Sequence, residues 1–317
     1  MNLPDGLLTW LLEEKDPSVR FRVLTEVLDQ APDDPEVVAA AAERGRSGWG
    51  AEILNRQMPG GQWDAPGTTS RDLYVPKYIA TNWRLLVLAD LGFTRAHPGV
   101  ARAAELMLAV DSASGELGGP ESEVCFTGNA ARMLTRVGYG DDPRVQASIT
   151  WLLDAQKSDG GWHCFPSETG TLDCWEALAA FAAIPRSAWT DRIRRAVAAG
   201  AEFYLARRLL EEGPAYAPWT RLHYPHHYYY DLLVGLDVLT SLGFGDDPRL
   251  GTALDLLERR RRPDGAWELD ALHPDVPADD DYQIRAPYYP FVLETPGRPS
   301  RWITLNALSV LRRTGRL

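Results

Sequence analysis

The residues able to do chemistry gather in the middle of the chain. Its three cysteines, Cys125, Cys164 and Cys174, lie close together in sequence; His163 precedes Cys164 and Asp173 precedes Cys174. Zinc takes four ligands from cysteine, histidine and carboxylate in tetrahedral geometry, and this mixture supplies all three types. Two other roles stay open. A free thiol packs as a small apolar group, or it reacts when its surroundings favour the thiolate.

Acids stand among aromatic rings in the same region. Glu123 lies in Glu121-Ser122-Glu123-Val124-Cys125-Phe126, Asp173 and Glu176 in Thr171-Leu172-Asp173-Cys174-Trp175-Glu176, and Asp231 closes His226-His227-Tyr228-Tyr229-Tyr230-Asp231. An acid held in a dry pocket with its geometry fixed can donate a proton to a substrate. Ring faces nearby can stabilise the cation that results. Tyr74, Tyr78, Trp83, Trp175, Tyr228, Tyr229, Tyr230 and Trp302 are the rings placed for it. The plain alternative is that the acids favour helix N-termini and the rings pack a core.

These residues are positioned by a repeat. Gln57-Met58-Pro59-Gly60-Gly61-Gln62-Trp63 and Gln156-Lys157-Ser158-Asp159-Gly160-Gly161-Trp162 both read Q-x-x-x-G-x-W. Arg261-Arg262-Pro263-Asp264-Gly265-Ala266-Trp267 keeps G-x-W and puts Arg at the first position. Glycine can stop a helix in the left-handed conformation, and a tryptophan two residues on can fold back as an apolar plug. A second signature marks helix starts: Asp16-Pro17, Asp34-Pro35, His97-Pro98, Asp142-Pro143 and Asp247-Pro248. Each predicts a polar cap followed by proline at the first helical position.

Between these signals run stretches of helical period, and strand-like alternation is nearly absent. First helices fall at roughly 6–14, 35–57, 98–110, 143–157, 190–210 and 248–261, and second helices at roughly 18–29, 74–92, 123–138, 170–184, 226–243 and 300–313. A period of about 50 residues means that pairs stack on their neighbours. Several second helices are nearly uncharged, as from Ala177 to Ala183, and therefore buried. The expectation is an all-α fold, a single (α/α)6 toroid of six helix pairs over residues 1–317, with an open solenoid as the alternative. In a toroid the second helices would be inner helices with their heads around one cavity mouth, where the cysteines, acids and rings collect. At least two of Cys125, Cys164 and Cys174 would then converge, because they head neighbouring inner helices. The long connection from Pro263 to Pro299, with Asp279-Asp280-Asp281-Tyr282 and Pro287-Tyr288-Tyr289-Pro290-Phe291, is expected to lie over that mouth as a lid.

The clasps, the Asp-Pro starts and the alternating pairs resemble the squalene cyclase and protein prenyltransferase superfamily. Trp151-Leu152 before Gln156 fits that family's longer repeat. The resemblance implies a terpenoid-cyclase-like toroid around an apolar cavity and an isoprenoid-type substrate. Its prenyltransferase branch implies a catalytic zinc held by Asp, Cys and His, which adds His227 to Cys125, Cys164 and Cys174. Asp173 and Cys174 are adjacent, where that branch separates the pair by one residue. Its class II cyclase branch protonates an alkene with the middle Asp of D-x-D-D. That motif does not occur here, and Glu121-Ser122-Glu123-Val124 is its nearest analogue.

Composition limits the partners. A formal charge of −11 argues against a nucleic-acid face. No stretch of about 18 apolar residues could span a bilayer. Acids near Met1 to Asp16 do not suit a signal peptide, and three cysteines do not make a disulfide framework, so a reducing cytoplasm is the expected compartment. Three functions remain: acid-initiated cyclisation or rearrangement of an apolar small molecule, a zinc-assisted transferase or lyase, and non-catalytic binding of a hydrophobic ligand. Zinc is the one cofactor under consideration.

Overall fold

The computed structural model describes residues 3–63, 73–74, 80–114, 123–211, 217–227, 229–272 and 293–317. Tyr78, Tyr228 and most of the expected lid, 273–292, lie outside them. The described chain is mostly helical, and among the described residues no helix is long and apolar enough to cross a membrane. It packs as two compact units. One comprises Met1–Arg56, Tyr216–His226 and Asp231–Leu317; the other comprises Gln57–Ala215 and His227–Tyr230.

The second of these units carries α5 (Thr81–Asp90), α6 (Pro98–Ser114), α7 (Val124–Leu134), α8 (Pro143–Asp154), α9 (Glu176–Ala183) and α10 (Asp191–Ala206). The first carries α1 (Asp5–Leu11), α2 (Pro17–Arg22), α3 (Pro35–Glu43), α4 (Gly48–Leu54), α11 (Leu232–Ser241), α12 (Gly251–Arg259) and α13 (Arg301–Arg313). A two-stranded antiparallel sheet precedes α13, pairing β1 (Trp267–Leu269) with β2 (Arg298–Ser300).

Proline-led starts form as their chemistry dictates. Asp34, Asp142 and Asp247 each accept the backbone N–H two residues on, and His97 does the same through Nδ1. Asp16 differs. Its carboxylate pairs with the buried Arg301 guanidinium and makes no cap.

All three clasps adopt one geometry. Trp63, Trp162 and Trp267 are buried. Gly61, Gly160 and Gly265 take φ of +98°, +89° and +87°, a region that a Cβ disfavours. These glycines sit in tight turns beyond the helix ends, since α8 stops at Asp154 and α12 at Arg259. Gln156 Nε2 donates to the Gly160 carbonyl at 2.8 Å and to Ala196 of α10 at 2.9 Å, tying the turn to the next helix. Gln57 does the same to Gly61 and to Gly99 of α6. The indoles of Trp162 and Trp267 donate to Leu152 and Leu257, ten residues back, at 2.8 and 2.7 Å.

Several helix boundaries depart from the periodic pattern, the expected 74–92 helix starting at Thr81 among them. The expected 35–57 helix is two helices, α3 and α4. The expected 170–184 and 226–243 helices start later, at Glu176 and Leu232. In the first of these two, Thr171 is drawn into an antiparallel bridge with Trp162. In the other, Asp231 caps the helix through Val234 N–H at 2.9 Å. The residues flagged for chemistry at these two heads therefore sit largely on the connections leading into the helices.

Candidate functional site

The site forms where α7, α9 and the α8–α9 connection meet. Gly128 of α7 lies against the backbone of Glu176 in α9; a Cβ there would sit 2.6 Å from the Glu176 carbonyl carbon. This close approach brings the heads of the two helices together, with Cys125 one turn before Gly128 and Cys174 just before Glu176. The connection between α8 and α9 folds back on itself. Thr171 N–H donates to the Trp162 carbonyl at 2.8 Å, and the Asp159 carboxylate accepts from Gly161 and Gly170, each at 3.1 Å. The fold-back places Cys164 beside Cys174, Sγ to Sγ 3.5 Å. Cys164 Sγ also accepts the Cys125 backbone N–H at 3.3 Å, in the first turn of α7.

Beside the sulfurs is a cavity of about 380 Å³. The three cysteines line it, together with Glu123, Asp173, His163 and Thr171 and the rings of Tyr74 and Phe165. Glu123 and Asp173 are exposed. The Cys125 thiol lies 3.5 Å from Glu123 Oε2. Hydrogen bonds from Cys125, then from Cys174, hold the Cys164 thiol far below the usual range, at about 3. The same contacts, with burial, push the Cys125 and Cys174 thiols up.

Behind this wall is Glu176. It is fully buried, and neither carboxylate oxygen has a hydrogen-bond partner. Burial, then the neighbouring Cys164 charge, pushes its carboxyl well above the ordinary value, against the pull of its own backbone N–H and of Arg132, and favours the protonated form. The residue before it, Trp175, is buried under the Arg132 guanidinium, 4.8 Å from the ring centroid.

The other flagged residues have different surroundings. Trp83 is buried behind Tyr74, its indole donating to the Tyr74 carbonyl at 2.7 Å. His227 packs its ring edge-on to Trp83 at 5.0 Å, and its carbonyl accepts from Asn129. Tyr230 is buried with its hydroxyl on the Leu209 carbonyl, and Tyr229 is half-buried. Asp231 and Trp302 belong to the other unit. There Trp302 stacks on Tyr224 at 4.6 Å. Asp231 accepts from His223 N–H at 2.9 Å, His223 Nδ1 at 2.6 Å and Val234 N–H at 2.9 Å. Burial alone would raise its carboxyl, but the charge and hydrogen bond of His223 outweigh burial and hold it low.

The zinc set fits only in part. Two ligands of one tetrahedral zinc stand roughly 3.3–3.8 Å apart, which the Cys164–Cys174 pair approaches. Among the described residues, however, one group brings three ligand atoms within 4.8 Å of one another, and it is His223, His226 and Asp231. Cys125, Cys164 and Cys174 do not make one such group even by themselves, and His227 packs its ring on Trp83. Nor does the His223 group suit an ion. The 2.6 Å contact between His223 and Asp231 is a hydrogen bond, shorter than two ligands of one ion approach.

Two features went unread in the sequence. His163, Phe165 and Thr171 line the cavity, and only the adjacency of His163 to Cys164 pointed there. The His223–Asp231 pair lies within one short run, but a spacing of eight has no helical or strand signature.

No family model matches the chain, and no curated protein matches it. Among solved structures it is similar to a protein from Actinoplanes, at 19% identity and TM-score 0.44, over 95% of this chain and 90% of that one. It is similar to a variant of the type II terpene cyclase MstE from Scytonema in complex with geranylgeranyl dihydroxybenzoate, at 18% identity and TM-score 0.36, over 98% and 99%. It is also similar to apo MstE, at 19% identity and TM-score 0.32, over 84% and 96%. Likeness at these scores leaves fold and activity to be argued from the chain itself.

Proposed function

We propose that the chain is an enzyme acting on an apolar, isoprenoid-type small molecule in the cavity beside Cys164, by acid-initiated cyclisation or a related rearrangement. Glu176 carries the reading. A buried carboxyl without partners is costly to stability, and such groups concentrate where a protein needs a proton at a fixed place. On this reading Glu176, covered by the cavity wall rather than lining it, is the proton reservoir that a substrate seated there draws on. Tyr74 and Phe165 offer ring faces to the cation that forms, and Glu123 and Asp173 are the groups positioned to take a proton back. In this proposal the six helix pairs close one toroid over residues 1–317, as the repeat spacing implies. Zinc has no part in it, since the four-residue ligand set is not assembled.

The test uses a panel of linear polyprenyl compounds and mass spectrometry. Cyclisation conserves mass, so the expected product is an isomer of its substrate. Wild-type protein should form it and Glu176→Gln should not. Equal turnover by the two proteins would remove the proposal. Tight binding of a polyprenyl compound with no product from the wild type would leave the ligand-binding alternative.

A further inference from the structure

Acid chemistry makes no use of the sulfurs, yet they are the most closely organised groups on the cavity wall. Cys164 and Cys174 are free thiols with Sγ atoms 3.5 Å apart, ten residues apart in sequence. The segment holding them is pinned by the Trp162–Thr171 bridge and by the Asp159 carboxylate on Gly161 and Gly170. Tyr204 adds a third point, its hydroxyl donating to the Leu172 carbonyl at 2.9 Å. Cys164 is half-buried and lines the cavity, so a small reagent can reach it. Its sulfur accepts a backbone N–H in the first turn of the eleven-residue α7, a setting that favours negative charge on sulfur. Cys174 is buried behind it. Cys125 also hydrogen-bonds Cys164, but its thiol is shared with Glu123 Oε2 at 3.5 Å, whereas Cys174 has the direct 3.5 Å sulfur contact.

We propose that Cys164 and Cys174 form a reversible dithiol–disulfide couple, in which Cys164 attacks a small organic disulfide entering the cavity and Cys174 resolves the adduct. The Cys164 sulfur uses an electron pair to attack one sulfur of R–S–S–R. That S–S bond breaks, and the leaving R–S⁻ takes up the proton that Cys164 gave up. Cys174 then loses its proton and attacks the Cys164 sulfur, expelling the second R–S⁻, which that proton converts to R–SH. Two cysteines are oxidised and one organic disulfide is reduced to two thiols. A reducing thiol pool runs the sequence backward. The couple is independent of the acid chemistry and survives if that reading fails.

The probe is bis(2-hydroxyethyl) disulfide, with peptide mapping and intact mass as readouts. Wild-type protein should lose two hydrogens in mass, yield one peptide pair joined through Cys164 and Cys174, and return to the dithiol with dithiothreitol. Cys174→Ser should trap the mixed disulfide on Cys164, whereas Cys125→Ser should still close the bond. Cys164→Ser should react at least about tenfold more slowly than wild type. A wild-type disulfide that includes Cys125, or mixed adducts with no internal bond, would overturn the proposal. So would a Cys164→Ser variant that reacts as fast as wild type. The wild-type map decides the matter even if a serine variant fails to fold.

Discussion

Each of the two compact units buries a carboxylic acid at the head of a helix, and the two acids are treated in opposite ways. Asp231 caps α11 and has three donors, one of them the His223 ring. Glu176 opens α9 with no donor on either oxygen. Full satisfaction makes a buried charge a structural device, whose loss strands its partners. A buried acid without partners contributes nothing of that kind, so the fold does not account for its presence. The comparison teaches that the partners of a buried acid, rather than its burial, separate scaffold from site.

The comparison presumes a frame common to both units, and the clasps are that frame. Trp162 and Trp267 occupy matching positions in the two units, each buried and each bonded ten residues back. Trp162→Ala and Trp267→Ala should each cost about 3–5 kcal/mol in urea unfolding. A large loss in one and none in the other would mean that the clasps are not equivalent.

The acids themselves should differ. Asp231→Asn weakens bonds to His223 and should cost about 2–3 kcal/mol. Glu176→Gln breaks no hydrogen bond, so the unfolding free energy should move by no more than about 1 kcal/mol. A cost for Glu176→Gln matching that for Asp231→Asn would erase the contrast.

Smaller effects sharpen the clasp. Gln156→Ala removes bonds to Gly160 and Ala196 and should cost about 1–2 kcal/mol. Arg261 donates to the Gly265 carbonyl at a longer 3.3 Å and lies over the Trp267 ring, 5.5 Å from its centroid, so Arg261→Ala should cost less.

How much could be read beforehand follows from the same physics. Gly61, Gly160 and Gly265 were legible because positive φ and a plug two residues on are local requirements. So were the caps at Asp34, Asp142 and Asp247. Asp16 carries the same signature and does something else, because Arg301, almost the whole chain away, claims its carboxylate. At the candidate site the sequence showed that cysteines, acids and rings gather at two helix heads. It could not show which acid would be unpartnered. That depends on Gly128 letting α7 sink onto Glu176, and on His223 reaching Asp231 from a connection without periodicity. His227 stood beside the right residues in sequence, but its ring packs on Trp83.

The gentlest probe is pH, because two caps of the Asp231 unit titrate in opposite senses. Burial pushes the Glu294 carboxyl from 4.5 up to about 7, although its donors Ser300, Arg301 and Trp302 pull it down. Its contribution to stability should be complete below 4.5 and lost as pH rises through about 7. Asp231, held below 3.8, contributes above that value and loses its contribution as pH falls through the lowered one. Unfolding curves of Glu294→Gln should be flatter between pH 5 and 7 than those of wild type, and an unchanged slope would show that Glu294 does not titrate there.

The central claim is that Glu176 is kept for chemistry. The most direct measurement is the turnover of a cyclised polyprenyl substrate by Glu176→Gln, taken beside its unfolding curve. The account predicts a fall of roughly a hundredfold or more in kcat with an unfolding midpoint close to wild type. Turnover at the wild-type rate, or a loss explained by unfolding, would contradict it.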